Sequence, residues 1–174
     1  MSSAGNSPGR PRGVVEGARD AVSVRPGLSP VGVSIALAVT WWLTGLIWVV
    51  QVVQYPGFAA VDPGTFPVFH ALHSDRITWL VAGPMLVEAA LAVALFVRPP
   101  RGVHRAEAAI LLLLVGVIWA STAFLQVPEH ERLADGLDQD SVRRLVATNW
   151  VRTVAWSLRA IGLAWLAPRV WRAG

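Results

Sequence analysis

His70 and His73 are spaced as His-x-x-His, which on a helix puts both imidazoles on one side, and a third imidazole follows as His130 in Gln126-Val127-Pro128-Glu129-His130. Imidazole suits zinc, copper or iron, and three histidines leave a coordination position open for catalysis. A divalent transition metal held by His70, His73 and His130 is therefore one expectation. A hydrogen-bonded histidine cluster that moves protons is the other. Arg152 and Arg159 lie seven residues apart, nearly two helical turns, and share a face with Trp156 and with Asn149, three residues before Arg152. Arg152 and Asn149 are candidates to hold a carbonyl or a developing enolate, with the histidines as acid or base. Anchoring at the membrane interface is the alternative for Arg152, because Trp150 lies only about 3 Å above it along a helix.

A carboxylate, Glu88, interrupts an otherwise apolar run, and Arg159 does the same in another. A charge at the middle of a membrane span costs about 2.5–3.5 kcal/mol on insertion scales, so each needs a partner. Glu88 lies eleven residues from the start of its run and Arg159 nine from the start of its own, roughly 16 and 14 Å deep at 1.5 Å per residue. The two are expected to meet as an intrabundle ion pair. Gln51 and Gln54, with Tyr55, end the first apolar run, Gln126 ends the third, and Arg76 and Asn149 stand at the matching level of the others. Together they predict a polar ring at the mouth of a bundle, above the deeper pair, and a small-molecule cleft below it.

The elements that must position these groups are four apolar stretches, at about 31–53, 77–97, 108–127 and 150–166, each near the roughly 20 residues that cross a bilayer. The first contains Trp41, Trp42 and Trp48 and meets Gln54-Tyr55-Pro56 without a small-x-small cleavage site, which favours a retained helix over a signal peptide. Pro84 is expected to bend the second stretch, and Pro128 to end or kink the third. The predicted fold is all-α, a four-transmembrane-helix bundle over 31–168. An Arg-, Gly- and Pro-rich disordered tail is expected at 1–30 and a short tail at 169–174.

Composition agrees. Of 174 residues, 54% are hydrophobic and 15% charged, with a mean hydropathy that suits a small polytopic membrane protein. With no cysteine, disulfides, thiolate ligands and cysteine nucleophiles are excluded. All fifteen basic residues are arginine. They gather in the amino-terminal tail, between the second and third stretches and at the carboxyl end, so the positive-inside rule makes both termini cytoplasmic and the protein multi-pass in the plasma (inner) membrane. That topology accounts for the basic charge without a nucleic-acid partner.

The order of Gln54-Tyr55-Pro56, Phe69-His70-Ala71-Leu72-His73-Ser74-Asp75-Arg76, Gln126-Val127-Pro128-Glu129-His130-Glu131-Arg132-Leu133 and Asn149-Trp150-Val151-Arg152-Thr153, over roughly residues 40–165, resembles small bacterial four-helix membrane proteins of the anthrone-oxygenase-like group. In that group the third helix ends in a proline followed by Thr-Asn, where this chain has Glu129-His130, and a histidine of the fourth corresponds roughly to Asn149. The departures place the chain nearer an uncharacterised bacterial branch. The resemblance implies a four-helix bundle, oxidation of an apolar aromatic compound, and Arg152 as the most transferable site residue.

Two readings follow. One is an oxidoreductase or oxygenase for a lipid-soluble aromatic or quinone-like compound. The other is a noncatalytic membrane subunit or lipid-binding protein in which Glu88 and Arg159 specify packing. Membrane lipids and an apolar small molecule are the expected partners, and a homo-oligomer is compatible with the chain. A short echo, Gln54-x-Pro56 against Gln126-x-Pro128, hints at duplication of a helical hairpin.

Overall fold

The computed structural model describes residues 27–173. The expected disordered tail lies, up to residue 26, outside the described residues. Four long helices follow one another: α1 Pro30–Phe58, α2 Phe66–Val97, α3 Arg105–Ala134 and α4 Gln139–Ala173. α1 packs on α2 and α4, and α3 packs on α2 and α4, so the helices form a ring of antiparallel neighbours joined by short loops.

Local chemistry sets the boundaries. Ser29 caps α1, its Oγ accepting the Gly32 N–H at 3.1 Å, and Pro30 fills the first turn, where its missing donor is harmless. Ser29→Ala is expected to cost about 1 kcal/mol, read as a drop in melting temperature in detergent. At the start of α4, Asp138 accepts the Ser141 N–H and hydroxyl at 3.1 and 2.6 Å. The Ser141 hydroxyl, chiefly, holds the Asp138 carboxyl below the usual carboxylate range. In the α2–α3 turn Gly102 has φ +81°, a left-handed conformation that glycine tolerates best.

The helices run further than the apolar stretches. Most of 54–76 and 128–149, the connections between the apolar stretches, is helical. Pro128 does not end its helix. Instead α3 widens into a π turn over Thr122–Gln126, with the Val127 N–H bonded to the Thr122 carbonyl, and the helix passes through the proline. α1 does the same over Val50–Gln54, with the Tyr55 N–H on the Val50 carbonyl ahead of Pro56. Proline lacks an N–H and crowds the carbonyl four residues back, and a wider turn relieves both problems. The two halves of the chain thus use one device at the same place in the Gln-x-Pro echo. α4 likewise continues through Pro168, so residues 169–173, expected as a tail, are helical. Burial of Val170 and a 2.7 Å bond from Arg169 to Glu107 hold this last turn down.

Apolar side chains fill two layers. Near the α1–α2 and α3–α4 loops the core holds Leu43, Ile47, Phe58, Phe66, Met85, Ile118, Leu145 and Trp156. Toward the other end it holds Val33, Ala36, Leu95, Leu111, Leu163 and Val170. The outer surface is apolar as well, with Trp41, Trp42, Trp79, Phe124, Ile161 and Trp165 all exposed. Such continuous apolar exposure is rare on a soluble monomer. α1, α2 and α3 are long and apolar enough to cross a membrane, and with this exterior they point to a multi-pass membrane protein. α4 is long enough, but its arginines and other polar residues lower its hydropathy.

Candidate functional site

Between the two core layers lies a polar girdle. Glu88 on α2 is 1% exposed and Arg159 on α4 is 0% exposed, and Arg159 Nε donates to Glu88 Oε1 at 2.9 Å. The two charges are level, as their depths along the chain require. The structure adds partners that spacing did not reveal. Thr40 of α1 donates to the same oxygen at 2.7 Å, the Trp156 indole N–H donates to Oε2 at 2.9 Å, and Arg159 Nη1 donates to the Leu111 carbonyl of α3 at 2.8 Å. One carboxylate and one guanidinium therefore tie all four helices together. Arg159 Nη2 is buried without a partner among the described residues.

One layer nearer the α1–α2 loop, a second network centres on Tyr55, the only tyrosine in the chain. Arg152 Nη2 donates to the Tyr55 hydroxyl at 3.2 Å, and that hydroxyl lies 3.0 Å from His130 Nε2. His130 Nδ1 in turn lies 3.0 Å from His70 Nε2. Donor counting orients the chain: the phenol oxygen accepts from Arg152, so its own proton is free for His130 Nε2, and the His130 proton then sits on Nδ1, facing His70. Arg152 is 8% exposed, its guanidinium turned to Asn149 and Tyr55.

A backing layer fixes the guanidinium. Arg152 Nε donates to Asn149 Oδ1 at 2.9 Å, and Asn149 Nδ2 donates to Gln51 Oε1 at 2.8 Å. Gln51 Nε2 donates to the Val146 carbonyl at 3.1 Å, and Gln126 Oε1 accepts from Arg152 Nη2 at 3.4 Å. Both π turns feed this layer, since each carries a buried glutamine, Gln51 or Gln126. Arg152 Nη1 has only a 3.5 Å contact to Thr122, leaving donor capacity for another acceptor.

That spare capacity faces a cavity of about 150 Å³. Leu43, Ile47, Val50, Ile77, Val81 and Met85 make its apolar walls, Trp156 closes the side toward Glu88, and Tyr55, His130, Arg152, Gln126 and Thr122 form its polar end. A space of this order accommodates one aromatic ring. Comparison with known protein families, curated proteins and solved structures finds no match. The site must therefore be read from its own geometry.

The sequence candidates divide into three groups. Arg152, Asn149, Gln51, Gln126 and His130 meet at or behind the polar end of the cavity. His70 stands behind His130 and is flanked by Phe66, ring centroids 5.6 Å apart. His73 lies near His130, centroids 5.9 Å apart, but accepts from Gln54 and lines a separate recess with Arg76. His70 and His130 present nitrogens to each other at hydrogen-bonding distance. Glu129 turns away from them to Arg132 and Arg144. Thr122 is the site residue that the sequence does not single out; Tyr55 belongs to the predicted polar ring and Trp156 neighbours the arginine stripe.

Proposed function

We propose that this is a four-span inner-membrane protein with both termini cytoplasmic, and that it holds a lipid-soluble aromatic or quinone-like compound in the cavity as an oxidoreductase or oxygenase. In this reading α4 is the fourth span: Arg152 and Arg159 face inward to partners, and Leu158, Ile161 and Trp165 face outward. The observation that carries it is the Tyr55 hydroxyl, placed between Arg152 and His130 at the polar end of an otherwise apolar, ring-sized cavity. A ring carbonyl or phenol entering from the lipid would bring its oxygen to Arg152, the one arginine lining that cavity among the described residues. There the cation stabilises negative charge in a low-dielectric space, where it counts for more than in water. Loss of a proton beside the carbonyl, or from the phenol, gives an anion that Arg152 neutralises, while Tyr55 and His130 take the proton toward His70. Such an anion gives up electrons readily. In the oxygenase form a ring methylene and dioxygen yield a ring carbonyl and water, the type of change that the resemblance to anthrone-oxygenase-like proteins implies.

The experiment is purification in detergent, elemental analysis and mass spectrometry of the extracted small molecules, for the wild type and Arg152→Gln. An aromatic or quinone-like compound enriched with the wild type and depleted with the variant is the expected result. Identical extracts would contradict the reading. The elemental analysis also detects a transition metal on the histidines, and His70→Ala and His130→Ala controls would assign it.

A further inference from the structure

On the outer side of α2, against the end of α1, a second recess of about 240 Å³ is lined by Phe69, Leu72 and Leu80 and by three polar groups, Gln54, His73 and Arg76. Ile77 belongs to both spaces and forms the partition between recess and cavity. The polar groups are short of acceptors. Arg76 is exposed and takes part in no ion pair among the described residues. Asp75, its chain neighbour, projects from a different side of the helix. The Gln54 amide donates to His73 Nδ1 at 2.9 Å, which leaves the proton on Nε2, and that atom is buried without a partner among the described residues. That buried Nε2 is closed off from the recess, so Arg76 is the lone cation on its wall among the described residues, and a lone cation calls for an anionic oxygen.

The depth of the recess narrows the source. Arg76 immediately precedes the apolar run 77–97, which at 1.5 Å per residue spans the roughly 30 Å of a hydrocarbon core. Arg76 thus stands at the level of lipid headgroups, with Leu80 one turn deeper at the level of acyl chains. A free anion has no use for Leu80, or for Ile77 beside it. We propose that the recess binds an anionic membrane amphiphile, its phosphate or carboxylate on Arg76 and its chain along α2 past Ile77 and Leu80, as a site separate from the Tyr55 cavity and independent of any chemistry there.

Native mass spectrometry of the full chain, released from phosphatidylcholine nanodiscs doped with phosphatidylglycerol, tests this. The wild type is expected to retain phosphatidylglycerol about fivefold over its share of the bilayer, the worth of one basic residue at a lipid surface. Arg76→Gln should abolish that preference, Arg76→Lys should keep part of it, and Arg101→Gln, at the other end of α2, should leave it intact. Arg76 is exposed, so these variants are expected to fold. Retention unchanged by Arg76→Gln, or lost equally with Arg101→Gln, would overturn the proposal. So would displacement of the lipid by millimolar inorganic phosphate, which would make this a site for soluble anions.

Discussion

Glu88→Ala is expected to be the most damaging single change in the protein, costing about 3–5 kcal/mol, a large share of the roughly 5–15 kcal/mol that holds a typical domain together. The change strands three donors at once: Arg159 Nε, the Trp156 indole and the Thr40 hydroxyl all lose their acceptor. Arg159→Met is expected to cost less, because Glu88 keeps Thr40 and Trp156. The double change Glu88→Leu with Arg159→Met should recover much of the loss, since replacing a buried pair by apolar side chains is often close to neutral. Exchanging the two charges should not recover it. An arginine at 88 carries donors only and would face the Trp156 N–H donor, even though the ion pair is formally kept. Thermal stability of the purified variants, followed by size-exclusion chromatography in detergent, gives the ranking. A Glu88→Ala protein within about 1 kcal/mol of wild type would show that the girdle does not hold the bundle together, since a typical substitution costs that much.

Tyr55→Phe should leave the fold nearly intact and remove the chemistry. The ring packs against Phe58 and His130 at centroid distances of 5.6 and 5.5 Å, and phenylalanine preserves those contacts. What disappears is the only oxygen between Arg152 and His130. If the proposed proton transfer limits turnover, kcat is expected to fall about 10²–10⁴-fold, measured as oxygen uptake with a ring ketone or a quinol, with melting temperature little changed. Arg152→Lys is expected to act differently. A lysine lacks the fork that engages Asn149 and Tyr55 together, so binding weakens and KM rises. If Tyr55→Phe leaves turnover unchanged, the tyrosine is a packing residue and the histidine chain has another purpose.

Much of this was legible in the sequence, for particular reasons. Glu88 and Arg159 stood out because a charge inside an apolar run has few places to go, and helix rise put them at one depth. Gln51, Gln126 and Asn149 were recognisable as one polar level because they end or begin apolar stretches on the same side, and Arg152 as a neighbour of Asn149 on one helix face. Tyr55 was visible in that ring, but its role as the bridge depends on rotations that spacing does not encode. The π turns were hidden because Gln-x-Pro reads as a stop signal, and only packing on both sides shows the helix continuing through it. The start of α4 at Gln139 was hidden because the apolar run begins only at Trp150. Arg76 was expected in the central ring. Its position on the outer side of α2 follows from the helix phase set by His70 and His73, both of which are buried.

Equilibrium binding of 1,4-benzoquinone, a lipid-soluble carbonyl compound of one ring, to the protein in phosphatidylcholine nanodiscs tests the central claim most directly. Saturable, stoichiometric binding is expected in the wild type, weakened about 10–100-fold in Arg152→Gln by loss of a charge-assisted hydrogen bond. Uptake that never saturates and is the same in both proteins, as simple partitioning into lipid would be, would contradict it.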